Sequence, residues 1–118
     1  GFVRMFVNGE AIVTNQQFLG VVIGDHTKVA INTMFNTGTV VGFSSNVFGA
    51  GFPSKSLPSF TWGGCGSAST TYDLERAIET AKRVMARRNY IMSEEEENVF
   101  RKTFDITKKV RKRAGYPY

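Results

Sequence analysis

The sequence has few of the residues on which several classes of function depend. Its 118 residues include one cysteine and one histidine. Cys65 alone rules out an internal disulfide and is typical of a reducing cytoplasm. A lone histidine argues against a zinc site. No apolar run is long enough to span a membrane, and no signal peptide is recognisable. We therefore expect a cytoplasmic protein without a metal site or a membrane partner.

The central stretch from Ile23 to Phe52 repeats with a period of six. The second position of each hexad is small in most repeats, and the fifth position carries a hydroxyl in most repeats. The first position is always apolar; these residues are Ile23, Val29, Phe35, Val41 and Val47. A period of six is neither a helix period nor a strand alternation, and it favours a repeat architecture.

The physical interpretation of the period is a β-solenoid. Each hexad would supply a short strand with one inward apolar side chain, followed by a tight corner. Small residues beside it would allow close stacking of neighbouring layers, and Gly or Asn would tolerate a positive φ at the corners. We expect the five hexad-leading residues to be buried. The alternative is an ordinary antiparallel sheet rich in Val, Thr and Gly.

A hairpin and two helices are predicted around this stretch. Asn8-Gly9 is a strong two-residue turn signal between apolar runs. After Pro53 the hexads stop, and Phe52, Phe60 and Trp62 lie in a loop that we expect to cap the solenoid; an aromatic ligand site is the alternative. Two apolar stripes then predict helices, and Ser93 to Glu96 forms a capping box before the second. The first stripe is Leu74, Ala77, Ile78, Ala81 and Val84, and the second is Val99, Phe100, Thr103, Ile106 and Val110.

These residues carry a family resemblance. The hexads resemble those of the hexapeptide-repeat, left-handed β-helix acyltransferases. Leu19 to Asp25, with Lys28 and Ile31-Asn32, is similar to the L-G-x-I-I-G-D-x-x-K-x-x-I-N run of sugar-1-phosphate nucleotidyltransferases, whose bifunctional members carry such a β-helix. The resemblance implies a mainly β fold, a left-handed parallel β-helix with an N-terminal β-hairpin and two C-terminal helices. Residues 1–64 would form the hairpin, partial β-helix and capping loop, and residues 65–118 a helical extension packed on the solenoid.

The resemblance also implies a site. The hairpin at Asn8 and Gly9 would be the acceptor loop, and Lys28 and Asn32 would face a groove that holds acetyl-CoA or another acyl-CoA. Lys28 is otherwise an exposed corner lysine, and Asn32 part of a stacked asparagine ladder. The family's His-x-x-Tyr base is absent here, so no catalytic residue is assigned, and His26 is interpreted as facing solvent. Mg²⁺ is expected only in a nucleotidyltransferase domain outside this chain.

The expected function is therefore that of a C-terminal, acyltransferase-like fragment of a sugar-1-phosphate nucleotidyltransferase. Its partners would be a sugar phosphate, an acyl-CoA and two further copies in a homotrimer. Fewer than two coils of hexads are too few to fold alone, which is why we expect missing upstream coils. The late basic residues are interpreted as a solvated helix face rather than a nucleic-acid site. The alternatives are a non-catalytic support or trimerisation domain and a free-standing hexapeptide acetyltransferase.

Overall fold

The computed structural model describes residues 4–7, 10–13, 22–30, 33, 39–49, 52–53, 56–65 and 69–117. The strands are β1 Arg4–Val7, β2 Glu10–Val13, β3 Val22–Ile23, β4 Lys28–Val29, β5 Val40–Val41, β6 Asn46–Phe48, β7 Ser56–Leu57, β8 Thr61–Gly64 and β9 Thr70–Thr71. The helices are α1 Leu74–Ala86, α2 Glu94–Ile106 and α3 Lys108–Arg113.

The predicted fold class, a mainly β left-handed β-helix, is wrong. The described chain is a small mixed α/β fold whose strands of two to four residues form three sheets, ordered β1-β2, β3-β5-β7 and β4-β6-β8-β9. Parallel partners lie 18 positions apart at first, Val22 with Val40, but 16 apart at the next step, Val40 with Ser56. Strand β9 then joins β8 antiparallel. The six-residue period is therefore not maintained, and no long regular solenoid forms among the described residues.

Close stacking of the short strands explains the small and hydroxyl positions of the hexads. A Cβ on Gly24 would lie 2.7 Å from the Phe43 amide nitrogen. Side-chain hydroxyls also take the place of some backbone acceptors between the stacked segments that carry these strands. Thr27 Oγ1, for example, accepts from the Ser45 N–H at 3.1 Å. Ser45 Oγ in turn accepts from the Thr61 N–H at 3.1 Å. These bonds satisfy backbone groups that would otherwise be buried without a partner.

Burial of the hexad-leading residues is confirmed for only part of the set. Val41 and Val47 are 1% and 0% exposed and pack with Leu57. Ile23 and Val29 are 45% and 36% exposed, so their predicted burial is wrong. They lie on strands β3 and β4, each of which has a neighbouring strand on one side only among the described residues. Phe35 lies outside the described residues.

The larger core lies between the strands and the helices. Its buried members are Phe60, Tyr72, Ala77, Ile78, Ala81, Met92 and Phe100. Three residues of the first predicted stripe therefore pack inward as expected. Of the second stripe only Phe100 is fully buried, whereas Val99 and Ile106 are exposed. Phe104, which the stripe omitted, packs against the core instead.

The helix ends follow from local hydrogen bonds. Asp73 caps α1 by accepting from the Arg76 N–H at 2.9 Å, and the predicted Ser93–Glu96 capping box of α2 is confirmed. The helical tail has three helices rather than the expected two, because α2 ends at Ile106 with Thr107 as its C-cap. There the threonine hydroxyl donates back to the Thr103 carbonyl at 2.6 Å, which disfavours continuous helix.

Arg111 connects α3 to the β-layers. It is fully buried, and its guanidinium donates to the Ser59 carbonyl at 3.2 Å and the Thr107 hydroxyl at 2.7 Å. The same group lies 4.2 Å from the centre of the Phe104 ring. Charge-assisted bonds and the aromatic face together compensate for the burial of this cation.

In the described residues, no helix has the length and apolar content needed to cross a membrane.

Candidate functional site: a cleft beside His26

The turn between β3 and β4 forms one wall of the candidate site. His26 has a φ of 58°, in the left-handed region where His, Asn and Asp are enriched. The Asp25 carbonyl accepts from the Ser44 N–H of the next layer at 2.9 Å, which fixes the turn. Gly24, immediately before it, has no room for a side chain. This backbone arrangement directs the imidazole toward the helices.

His26 is partly buried, and its imidazole packs against aromatic rings rather than facing solvent freely as predicted. Its ring centre lies 5.6 Å from that of Phe43, edge to face, and 4.8 Å from that of Phe100. Desolvation by this packing lowers the pKa of His26 below 6.5, and the positive charge of Lys28 lowers it further, against opposing effects of Asp25 and Glu96. The neutral imidazole is therefore favoured near neutral pH.

The segment between α1 and α2 forms the opposite wall. The Tyr90 hydroxyl donates to Glu96 Oε1 at 2.6 Å, and the same oxygen accepts from the Ser93 N–H at 3.2 Å. Both hydrogen bonds lower the pKa of Glu96, and the bond from Tyr90 has the larger effect. The hydrogen-bonded carboxylate of Glu96 in turn raises the pKa of Tyr90. The Met85 carbonyl accepts from the Arg88 and Tyr90 N–H groups at 2.9 and 3.0 Å, which holds this segment against the end of α1.

Between these walls lies a cleft of about 470 Å³ lined by His26, Val84, Met85, Arg88 and Tyr90. Its volume lies within the roughly 300–1,000 Å³ typical of small-molecule sites. Two side chains are apolar, two carry polar aromatic groups and one carries a permanent positive charge. Such a set suits a ligand with an apolar part and an anionic group, because the guanidinium can bind phosphate oxygens in a bidentate manner.

Of the predicted cofactor-groove residues, only Lys28 is described. It lies in β4, half-buried, with its N–H donating to the Ser45 carbonyl at 2.9 Å, and desolvation lowers its pKa. It is close enough to affect His26 electrostatically, although it is not among the residues that line the cleft. Asn32, Asn8 and Gly9 lie outside the described residues.

Sequence reasoning did not identify Arg88 or Tyr90, and it assigned Glu96 only to the capping box. Arg88 is one of several basic residues near the end of α1, and nothing in the local sequence distinguishes it from Arg87. Tyr90 acquires its role only through the turn at Asn89, which has a φ of 59°. Within the described ranges, no three His, Cys, Asp or Glu side chains lie close enough together to hold a metal ion.

Comparison with known proteins found no matching family model, no matching curated protein and no matching solved structure.

Proposed function

We propose that the chain is the acyltransferase-like part of a sugar-1-phosphate nucleotidyltransferase, and that it binds a phosphate-bearing ligand of that enzyme in the His26 cleft. The observation that carries the proposal is the convergence of His26, Arg88 and Tyr90 on a cleft with an apolar wall of Val84 and Met85. The resemblance of the hexad region to the bifunctional enzymes, such as N-acetylglucosamine-1-phosphate uridyltransferase, supports the class.

The family-like run and the cleft are parts of one structural unit. Gly24 and Asp25 of that run set the turn that presents His26, since Gly24 packs on Phe43 and the Asp25 carbonyl binds the next layer. The residues that carry the resemblance therefore build one wall of the proposed ligand site.

Three phosphate-bearing ligands share the required chemistry. Acetyl-CoA would place its phosphates on Arg88 and the methylene and gem-dimethyl groups of its pantetheine arm along Val84 and Met85. Glucosamine 1-phosphate and uridine triphosphate would use the guanidinium in the same way but would gain less from the apolar wall. The apolar contact favours the acyl-CoA, and acyl transfer itself would depend on residues of the parent protein outside this chain.

Isothermal calorimetry on the chain tests the proposal. We expect binding of acetyl-CoA in preference to the other two ligands, no binding of phosphate-free glucosamine, and at least about a tenfold loss in Arg88→Gln, since that substitution removes the charge-assisted bonds. Arg87→Gln is the matched control, because Arg87 is exposed, adjacent and absent from the cleft lining. Equal losses in both variants, or binding of none of the three ligands, would contradict the proposal.

The assembly and the compartment are part of the same proposal. The family resemblance supports a homotrimer, and the single cysteine, which is buried and free, supports a cytoplasmic location. Light scattering of the full-length protein at micromolar concentration tests the homotrimer; a monomer would contradict it.

The activity of the parent protein is tested by two assays. One measures acetyl-CoA consumption with glucosamine 1-phosphate or galactosamine 1-phosphate, and the other measures nucleotide transfer from nucleoside triphosphates. Nucleotide transfer without acylation would instead favour a support role for this region.

A further inference from the structure

A second cleft lies beside Trp62, the only tryptophan of the chain. Strand β8, which carries Trp62, pairs with a strand on each side, so that Trp62 lies opposite Asn46 of β6 and Thr70 of β9. Its indole lies edge to face with Phe48 at 5.1 Å and tilted against Tyr72 at 4.9 Å, while 39% of the residue remains exposed. The indole is thus a supported aromatic platform with part of its surface open to solvent.

The cleft at this platform has a volume of about 150 Å³ and is lined by Trp62, Thr71, Asp73 and Arg76. It shares no lining residue with the His26 cleft. An enclosed apolar cavity of about 150 Å³ holds one benzene ring, which sets the scale of a ligand for this cleft. The cleft is therefore suited to a single ring rather than to an extended cofactor.

Hydrogen-bonding groups surround the aromatic platform. Thr71 Oγ1 is buried and has no hydrogen-bond partner in the described part of the chain, which is unusual because such groups are nearly always satisfied. Asp73 uses Oδ1 to cap α1, so its second carboxylate oxygen is left to accept from a ligand. Arg76 supplies donors, and none of the ion pairs found between described residues involves Asp73 or Arg76.

We propose that this cleft binds a neutral pyranose ring. A pyranose has a face of C–H groups, slightly positive and apolar, which suits the negative face of the indole, and hydroxyls around its edge that both donate and accept. The carboxylate of Asp73 and the guanidinium of Arg76 balance in charge, which favours a neutral sugar over a phosphorylated one. Thr71 Oγ1 gains its missing partner from a ring hydroxyl. This site lies apart from the His26 cleft and does not depend on the function proposed there.

The single tryptophan makes the test direct, because its fluorescence reports on this cleft alone. The chain is titrated with D-glucose, N-acetyl-D-glucosamine, glucose 1-phosphate and uridine, each up to about 50 mM, since one-ring ligands bind at millimolar levels. We expect saturable changes with the neutral sugars, weaker binding of glucose 1-phosphate and none of uridine. The absence of any saturable change, or tighter binding of uridine than of both neutral sugars, would overturn the proposal.

Matched variants separate binding from folding. Thr71→Val removes the buried hydroxyl at nearly constant shape, so it should leave thermal stability unchanged or raised while weakening sugar binding by about tenfold. Arg76→Gln should weaken it by a similar factor, whereas Arg83→Gln, on the same helix but ion-paired to Glu79 outside the cleft, should not. Unchanged sugar affinity in both Thr71→Val and Arg76→Gln would refute the assignment.

Discussion

The Tyr90 hydroxyl donates to Glu96 Oε1 at 2.6 Å, and that oxygen also accepts from the Ser93 N–H. One carboxylate thus fixes both the start of α2 and the tyrosine that lines the His26 cleft. The capping box, a local feature of one helix, is in this way coupled to the candidate ligand site.

Removing this hydroxyl should therefore affect the cleft and the carboxylate together. In Tyr90→Phe the pKa of Glu96 should rise toward its ordinary value, because its largest stabilising hydrogen bond is lost, and acetyl-CoA affinity should fall a few-fold. Carboxyl NMR titration and calorimetry measure the two effects. Tyr72→Phe, which removes a hydroxyl bonded to Thr80 away from the cleft, is the control and should change neither.

Gly42 is required by close packing between layers. A Cβ at this position would lie 2.3 Å from the Ser59 amide nitrogen, a backbone atom that cannot move aside. Gly42→Ala should lower the free energy of unfolding by about 2–3 kcal/mol or more. Gly115→Ala, whose Cβ would meet nothing within 4 Å but whose φ is 80°, should cost only about 1 kcal/mol. Urea denaturation compares the two free energies of unfolding; a Gly42→Ala cost no larger than that of Gly115→Ala would contradict the close packing at Gly42.

A matched pair of hexad positions tests the difference between inner and edge strands. Val41→Asp buries an unpaired charge and should abolish folding, whereas Val29→Asp, at the equivalent but exposed position, should leave a folded protein. Far-UV circular dichroism and thermal unfolding distinguish the two. A folded Val41→Asp variant would contradict the assignment of Val41 to the core.

The lowered pKa of His26 predicts a stability loss on acidification. In the unfolded chain His26 titrates near 6.5, whereas in the folded chain it binds a proton only at lower pH. The unfolded state therefore binds more protons between these values, so stability is full above 6.5 and decreases as the pH falls toward the folded pKa. His26→Asn, which tolerates the positive φ, should remove this part of the dependence. Chemical denaturation at pH 7.5 to 5 measures it, and an identical slope in the variant would contradict the expectation.

Local features of the fold could be predicted from the sequence. The small hexad positions Gly24 and Gly42, the antiparallel pairing of β1 with β2 and the Ser93 capping box all depend on short-range sterics or hydrogen bonds. The fold class could not be predicted, because the six-residue period does not reveal that the spacing of parallel partners shortens from 18 to 16 positions after Phe48 or that β9 runs antiparallel to β8. Nor does a period show which hexads occupy edge strands, hence the exposed Ile23 and Val29.

The site was less predictable than the fold. His26 precedes Arg88 and Tyr90 by 62 and 64 positions in the sequence, and only tertiary packing brings it to the same cleft. Lys28 was assigned by resemblance; it lies near His26 but not in the cleft lining. The residues of the predicted aromatic loop have different surroundings in the fold: Phe60 is buried in the core, whereas Trp62 is partly exposed to solvent.

An NMR titration of the His26 imidazole tests the phosphate-ligand site most directly, because the chain has no other histidine and the imidazole signals are therefore unique. Acetyl-CoA should shift the Hε1 resonance saturably and raise the pKa of His26, because the phosphates bring negative charge next to the ring. Arg88→Gln should weaken this response by about tenfold, and Arg87→Gln should not. An imidazole resonance unchanged by acetyl-CoA, glucosamine 1-phosphate and uridine triphosphate would contradict a phosphate-ligand site in this cleft.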